Sequence, residues 1–202
     1  MKSSSETGAT MELPPPSVTG AMPVEQAVAR RRSVRQFTDK PLTSRQISQL
    51  CWSGQGITAP AGALRAAPSA GALYPIELFV ATAEGVAHYR PANHALTARL
   101  ADDVRGRIQR ASLNQEMIGQ APATFVIAAV VDRVAAEYGR WAEQYTLIEV
   151  GHVAQNMLLQ AVALNLAGVP VGAFDDKKVA GILKLPRDHR VYYLLPIGHP
   201  AG

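Results

Sequence analysis

A chain of 202 residues with 48% apolar side chains carries enough hydrophobic surface for one packed domain or two small ones, which excludes a largely disordered protein. Its 20 Lys and Arg against 16 Asp and Glu give a formal charge of +4, and four of the cations, Arg30, Arg31, Arg32 and Arg35, fall within ARRRSVRQF. Without these four the charges balance, so the excess is one local cluster rather than the continuous basic face of a nucleic-acid binder, and no nucleic-acid partner is expected.

Residues 1–22, rich in Ser, Thr, Pro and Gly, read as a flexible N-terminal tail, with Pro14–Pro16 opposing helix and sheet alike. The segment has no apolar h-region, and no run in the chain reaches the roughly 18 apolar residues of a membrane span. A cytoplasmic address without a membrane partner is therefore expected. One domain is expected from residue 23 to 202. It opens with a short helix from Pro23 to about Arg31, with Val24, Ala27 and Val28 on its inner face and Arg30 capping its basic end. Residues 33–38 read as extended.

Thr43 is the expected N-cap of a helix carrying Ile47, Leu50 and Cys51, and the lone cysteine, set in that apolar pattern, reads as core. Residues 55–75, QGITAPAGALRAAPSAGALYP, are too rich in Gly, Ala and Pro for either regular element and read as a long functional loop. Strands are expected at 76–82 and 86–89, turned at Glu84-Gly85. The run ATFVIAAVV at 123–131 has the pattern of a strand buried on both faces. The longest helical stretch spans about 134–166 with a broad apolar surface suited to a central or dimer helix, and Gly168 is its expected C-terminal stop. A short strand at 169–173, a helix at 175–183 capped by Asp175 or Asp176, and a final strand at 191–197 follow. Helices and strands mix without a βαβ rhythm, which gives an α+β or irregular α/β class.

Several chemistries lack their motifs. Glu149 and His152 form one E-x-x-H, half of a carboxylate-bridged di-metal site, but no second copy occurs, so no metal is expected. G-x-S-x-G, Walker A and G-x-G-x-x-G sequences are absent. Three pieces carry binding potential instead. Arg31, Ser33 and Arg35, at alternate positions of an extended segment, converge within roughly 13 Å of chain, an arrangement suited to a phosphate monoester. In PSAGALYP at 68–75, Pro68, Ser69, Ala70 and Gly71 allow a flat ligand to approach the backbone, although a tight turn into the next strand explains them equally well. In VGAFDD at 171–176, Gly172 and Ala173 stand where backbone N–H groups can be aimed at a ligand.

In order, RRSVRQF, PLTSRQISQLCWSGQGIT, APSAGALYPIELFV, LIEVGHVAQNMLLQAVALNLAG, VGAFDD and LLPIGHP resemble the FMN-dependent nitroreductase family, in particular its SagB-type, azoline-dehydrogenase-like branch. The resemblance implies an α+β three-layer fold, a mixed central sheet flanked by helices, and a homodimer joined by the long helix with two FMN molecules at the interface. It implies that Arg31, Arg32, Ser33 and Arg35 hold the FMN phosphate and ribityl chain. Pro68, Ser69, Ala70 and Gly71 would line the flavin from the other subunit. Gly172 and Ala173 would lie at its N5 edge, with Gln155 or Asn156 reaching it from the long helix. It further implies NAD(P)H as reductant and a small acceptor such as a quinone or nitroaromatic.

Two departures accompany the resemblance. Many relatives close the phosphate site with a cation after the last G-x-P, and here IGHPAG offers none, which leaves the load on the arginines. Peptide azoline dehydrogenases carry a Lys-Tyr pair where this chain has Glu137-Tyr138; Tyr138 remains the candidate for proton transfer, but a carboxylate replaces the cation. Azoline oxidation and flavin storage without turnover stand as the alternative functions.

Overall fold

The computed structural model of the chain describes residues 8–59 and 64–201. In chain order, strand β1 is Thr10–Glu12, helix α1 is Val24–Arg30 and helix α2 is Ser44–Gln55. Thr43 and Gln46 close a reciprocal capping box at the start of α2, satisfying backbone N–H groups that a helix end leaves open. A small antiparallel ribbon follows, β2 (Ile57–Ala59) with β3 (Leu64–Arg65), inside the stretch expected to be wholly irregular; Pro60–Ala63, part of that expectation, lie outside the described residues.

The hairpin β4 (Ile76–Thr82) and β5 (Gly85–Arg90) forms as expected, and β6 (Ala95–Leu100), which the sequence did not suggest, adds to β5. Helices α3 (Arg105–Ala111) and α4 (Glu116–Gln120) lead to β7 (Ala123–Ala129), and α5 (Asp132–Tyr138) leads to the long α6 (Ala142–Ala163). β8 (Ala167–Gly168), α7 (Asp176–Ile182) and β9 (Arg190–Gly198) complete the described chain. Asp175 caps α7, its side chain accepting from the Lys178 N–H.

The main sheet runs β1-β6-β5-β4-β7-β9-β8, and its strand ladders are antiparallel; an isolated parallel bridge, Ser33 to Gly168, extends the β8 edge. Helices cover both faces. Phe125, Ile127, Leu78 and Val80 meet Leu50 and Cys51 of α2 and Val153 and Met157 of α6. Val126, Ala128, Phe79 and Ala81 meet Ile108, Ile118, Val179 and Leu183 on the other side. Every residue of β7 is therefore buried, which is why its sequence reads as one apolar run. The architecture is α+β in three layers, a sheet between helices, with one long helix. No helix among the described residues is long and apolar enough to cross a membrane.

Four expectations are corrected. The described part of the 1–22 segment is built into the fold: β1 pairs with β6, the Leu13 N–H donates to His94 O at 3.0 Å, and Ser48 Oγ donates to Pro14 O at 2.5 Å. Proline bars helix and ladder donation, yet its carbonyl still accepts, so an extended proline strap can dock. The long helical stretch is broken: Gly139, at φ 50°, ends α5 before α6 begins. Asn165 rather than Gly168 terminates α6. Asn165, at φ 55°, occupies the left-handed position, with its N–H on Val162 O and the Leu166 N–H on Ala161 O, while Gly168 belongs to β8. On α1 only Ala27 is buried; Val24 and Val28 remain exposed.

A buried polar cluster crosses the hairpin. Glu77 pairs with His88 at 2.6 Å and with Arg133, whose guanidinium also donates to Tyr74 O at 3.1 Å. Burial alone would raise the Glu77 carboxyl, but the His88 bond and charge, with Arg133, hold it down at about 2.

Candidate functional site

α1 ends at Arg30, and Arg31 turns into extended backbone (φ −56°, ψ 122°). Ser33 then bridges Gly168, the Val34 N–H donates to Gly168 O at 3.2 Å, and Phe37 pairs with Pro200. Val34 packs on the core while Ser33 and Arg35 are exposed, as alternation along an extended arm requires. Among the described residues no side-chain hydrogen bond or ion pair engages Arg31, Ser33 or Arg35. Arg32 behaves differently: its Nη1 donates to Ala29 O at 2.9 Å and to Arg31 O at 2.7 Å. The helix-capping role expected of Arg30 is thus taken by Arg32, whose guanidinium is turned back from the arm.

Gly172 and Ala173 follow Val171, which bridges β9 after β8 has ended. Val171 exchanges backbone bonds with Leu194, the Asp175 N–H donates to Ala111 O, and Gln115 Nε2 donates to Ala173 O at 2.8 Å. These contacts fix the turn. The N–H groups of Gly172 and Ala173 are engaged by no partner among the described residues, and both residues are exposed. The edge therefore offers two unpaired guanidiniums, a hydroxyl and two free N–H groups, which suit an anion and a hydrogen-bond acceptor.

The Pro68–Gly71 turn lies against α5 and α6. Gly71 is at φ 59°, and a Cβ there would stand 3.0 Å from the Tyr138 hydroxyl, so both conformation and space call for glycine. Ser69 Oγ accepts from the Tyr74 N–H at 2.9 Å, and Tyr138 meets Tyr145 edge-on with centroids 5.1 Å apart. Between Pro68–Ala70 and the α6 residues Tyr145, Ile148, Glu149 and His152 is a hollow of about 240 Å³. Of the two α6 amides, Asn156 Nδ2 donates to Ala66 O at 3.3 Å and tethers the loop, while Gln155 is exposed.

Glu149 is the residue that sequence reasoning undervalued. Its accessibility is 3%, and its Oε1 finds no hydrogen-bond partner of adequate geometry. Burial pushes its carboxyl up to about 7, against the opposing pull of the nearby Ser69 hydroxyl, the Arg65 charge and Gln55. Arg65 is itself anchored, donating to Gln55 Oε1 at 2.5 Å and lying 4.5 Å over the Tyr74 ring. The signal was present in the sequence: Glu149 falls on the inward stripe of α6 with Thr146, Val150 and Val153. No group of three or more His, Cys, Asp and Glu among the described residues could hold a metal ion.

The expected site residues are thus gathered into two groups, Arg31, Ser33, Arg35, Gly172 and Ala173 on one sheet edge, and Pro68–Gly71 with Tyr138 over α6. No hydrogen bond, ion pair or ring contact among the described residues joins the two groups. Known proteins resemble the chain over most of its length. "Putative nitroreductase MJ1384" of Methanocaldococcus jannaschii is 37% identical over 197 residues, covering 95% of this chain and 98% of its own. A crystal structure of a "putative nitroreductase" from Ralstonia eutropha JMP134 is 28% identical with a TM-score of 0.87, covering 96% of this chain and 90% of its own. The NADPH:FMN oxidoreductase from Vibrio harveyi, complexed with NAD+, shares the fold at TM-score 0.67 and 21% identity, over 89% of this chain and 69% of its own. With the Nitroreductase family model matching residues 28–199, the chain belongs to the nitroreductase family.

Proposed function

We propose that the protein is an FMN-dependent oxidoreductase that takes reducing equivalents from NAD(P)H and passes them to a small organic acceptor of the quinone or nitroaromatic type. The observation that carries this reading is the arm at Arg31, Ser33 and Arg35, whose cationic and hydroxyl groups are left unpartnered at the sheet edge. A phosphate monoester satisfies them with charge-assisted bonds. Gly172 and Ala173 supply N–H donors toward the polar edge of the ring, and the small residues of Pro68–Gly71 supply a close-packed wall. Arg32, released from α1, would reach the ribityl chain, and Gln155 the flavin from α6. The family membership and the flavin named for the Vibrio harveyi neighbour support the cofactor.

The flavin supplies hydride chemistry when bound. This chain's residues bind its phosphate, orient the ring and exclude water from its face. A homodimer completes the reading. Leu147 and Ile148 of α6 are 50% and 48% exposed in one chain, and Val24 and Val28 of α1 are exposed as well, so a second copy would cover apolar surface on these helices. Such pairing would bring the Pro68–Gly71 wall of one subunit to the sheet edge of its partner.

The absorption spectrum of the purified protein tests the class directly. Flavin bands at about 370 and 450 nm, bleached by NADPH or NADH and restored by menadione, are the expected result. A colourless protein that takes up no added FMN refutes the reading; bound flavin that no nicotinamide bleaches leaves only a binding protein.

A further inference from the structure

We propose that Glu149 is the proton donor to the acceptor, delivering the proton that must accompany hydride when a quinone is reduced. The inference rests on the flavin reading above and adds to it a residue role. Its basis is geometric: Glu149 lines the hollow between Pro68–Ala70 and α6, is almost wholly buried, and leaves a carboxyl oxygen without a partner. A buried polar atom left unpaired beside open space is costly unless something else uses it.

The groups around it come from every element packed there. α2 brings Gln55, whose Nε2 is also without a partner; β3 brings Arg65; the loop brings Ser69; α6 brings Tyr145 and His152 on either side; Tyr138 of α5 stands behind Tyr145. Arg65 is committed to Gln55 and Tyr74, and among the described residues no cation forms an ion pair with Glu149. The carboxyl held up at about 7 therefore keeps its proton near neutrality and can still release it. A phenol is a much weaker acid than such a carboxyl. Tyr138 instead lies against Gly71, where it leaves no room for a Cβ.

The balance is complete for a quinone. Bound flavin in its reduced form would supply one hydride, two electrons and a proton, to the acceptor. The Glu149 O–H bond breaks as an O–H bond forms on the acceptor oxygen, which yields the hydroquinone. The carboxylate regains its proton from water at the mouth of the hollow.

The test uses the full chain loaded with FMN, reduced with dithionite and reoxidised by menadione in a stopped flow. In the wild type the rate constant should fall at least about tenfold from about pH 6 to 9, with an inflection near 7. Glu149→Gln should be about a hundredfold slower at pH 6 and free of that inflection. A second readout needs no turnover: in 13C-glutamate-labelled apoprotein, the carboxyl resonance missing from Glu149→Gln should titrate near 7. Matching pH profiles, or a resonance titrating in the ordinary carboxylate range, overturn the proposal. A folded Glu149→Gln that has lost its flavin overturns it too, by assigning the residue to cofactor binding. If Glu149→Gln does not fold, Glu149→Asp replaces it and should shift the inflection rather than abolish it; an unmoved inflection is then a refutation. Absence of flavin from the wild type fails both readings, whereas bound flavin with an unaltered Glu149→Gln profile fails this one alone.

Discussion

Two acidic residues, Glu77 and Glu149, are driven in opposite directions by their surroundings. Glu77 is held down at about 2 by His88 and Arg133, so its stabilising effect is complete above the ordinary range near 4.5 and is lost as pH falls toward 2. Glu77→Gln should cost up to roughly 3 kcal/mol at neutral pH, with the gap to wild type closing in acid, as read from calorimetric melting. Glu149 has the reverse sign. Raised to about 7, it favours the folded state fully below the ordinary range and loses that effect as pH climbs through 7. Glu149→Gln should therefore melt at least as high as wild type at pH 8 and show a flatter pH profile between 5 and 8. The arginine arm predicts binding rather than stability. Replacing Arg31 and Arg35 with Ala removes two charge-assisted contacts of about 1.5–3 kcal/mol each, so FMN affinity measured by fluorescence titration should fall at least a hundredfold with little change in melting temperature.

Helix and strand ends divide between what local sequence could announce and what only the fold could supply. Thr43 with Gln46, and Asp175 ahead of α7, are capping signals contained within four residues, and the structure uses them as such. β7 was legible because both its faces are covered, which removes polar alternation. β6 was not: ALTARL has modest strand preference and becomes a strand by pairing with β5 on one side and β1 on the other. The end of α6 misled for a related reason. Gly168 looked like the stop, but two backbone bonds close the helix three residues earlier and select Asn165 for the left-handed position. Asn165→Ala should cost about 1 kcal/mol in denaturant unfolding, and Asn165→Gly should be neutral or stabilising. On the arginine arm, the exposure of Ser33 and Arg35 on either side of Val34 was readable from alternation. The burial of Glu149 could be read from its place on the α6 stripe, but the raised carboxyl could not, because it depends on how completely other segments enclose it and how weakly Ser69, Arg65 and Gln55 offset that burial.

At the scale of the molecule, the exposed faces of α1 and α6 leave the long helix half covered, with Leu147, Ile148 and Val28 open to solvent in a single chain. The homodimer reading makes that surface the interface. Leu147→Glu combined with Ile148→Glu should then shift the species in light scattering from dimer to monomer at micromolar concentration and release flavin at the same time. Wild-type protein that is monomeric yet flavin-loaded contradicts the prediction. The four arginines behind the charge excess are split by the fold: Arg30 ends α1, Arg32 turns back onto it, and Arg31 and Arg35 are left without side-chain partners among the described residues.

The docked N-terminal strap has a consequence for the order in which the molecule is assembled. Thr10–Glu12 wait for Ala95–Thr97, Leu13 for His94, and Pro14 and Ser17 for Ser48 and Gln49, so the strap finds its last partners only once β6 is available. Closing a loop of that length belongs late in folding, when the hairpin β4–β5 has already provided the edge for β6. The strap is thus among the last segments of the described fold to be fastened.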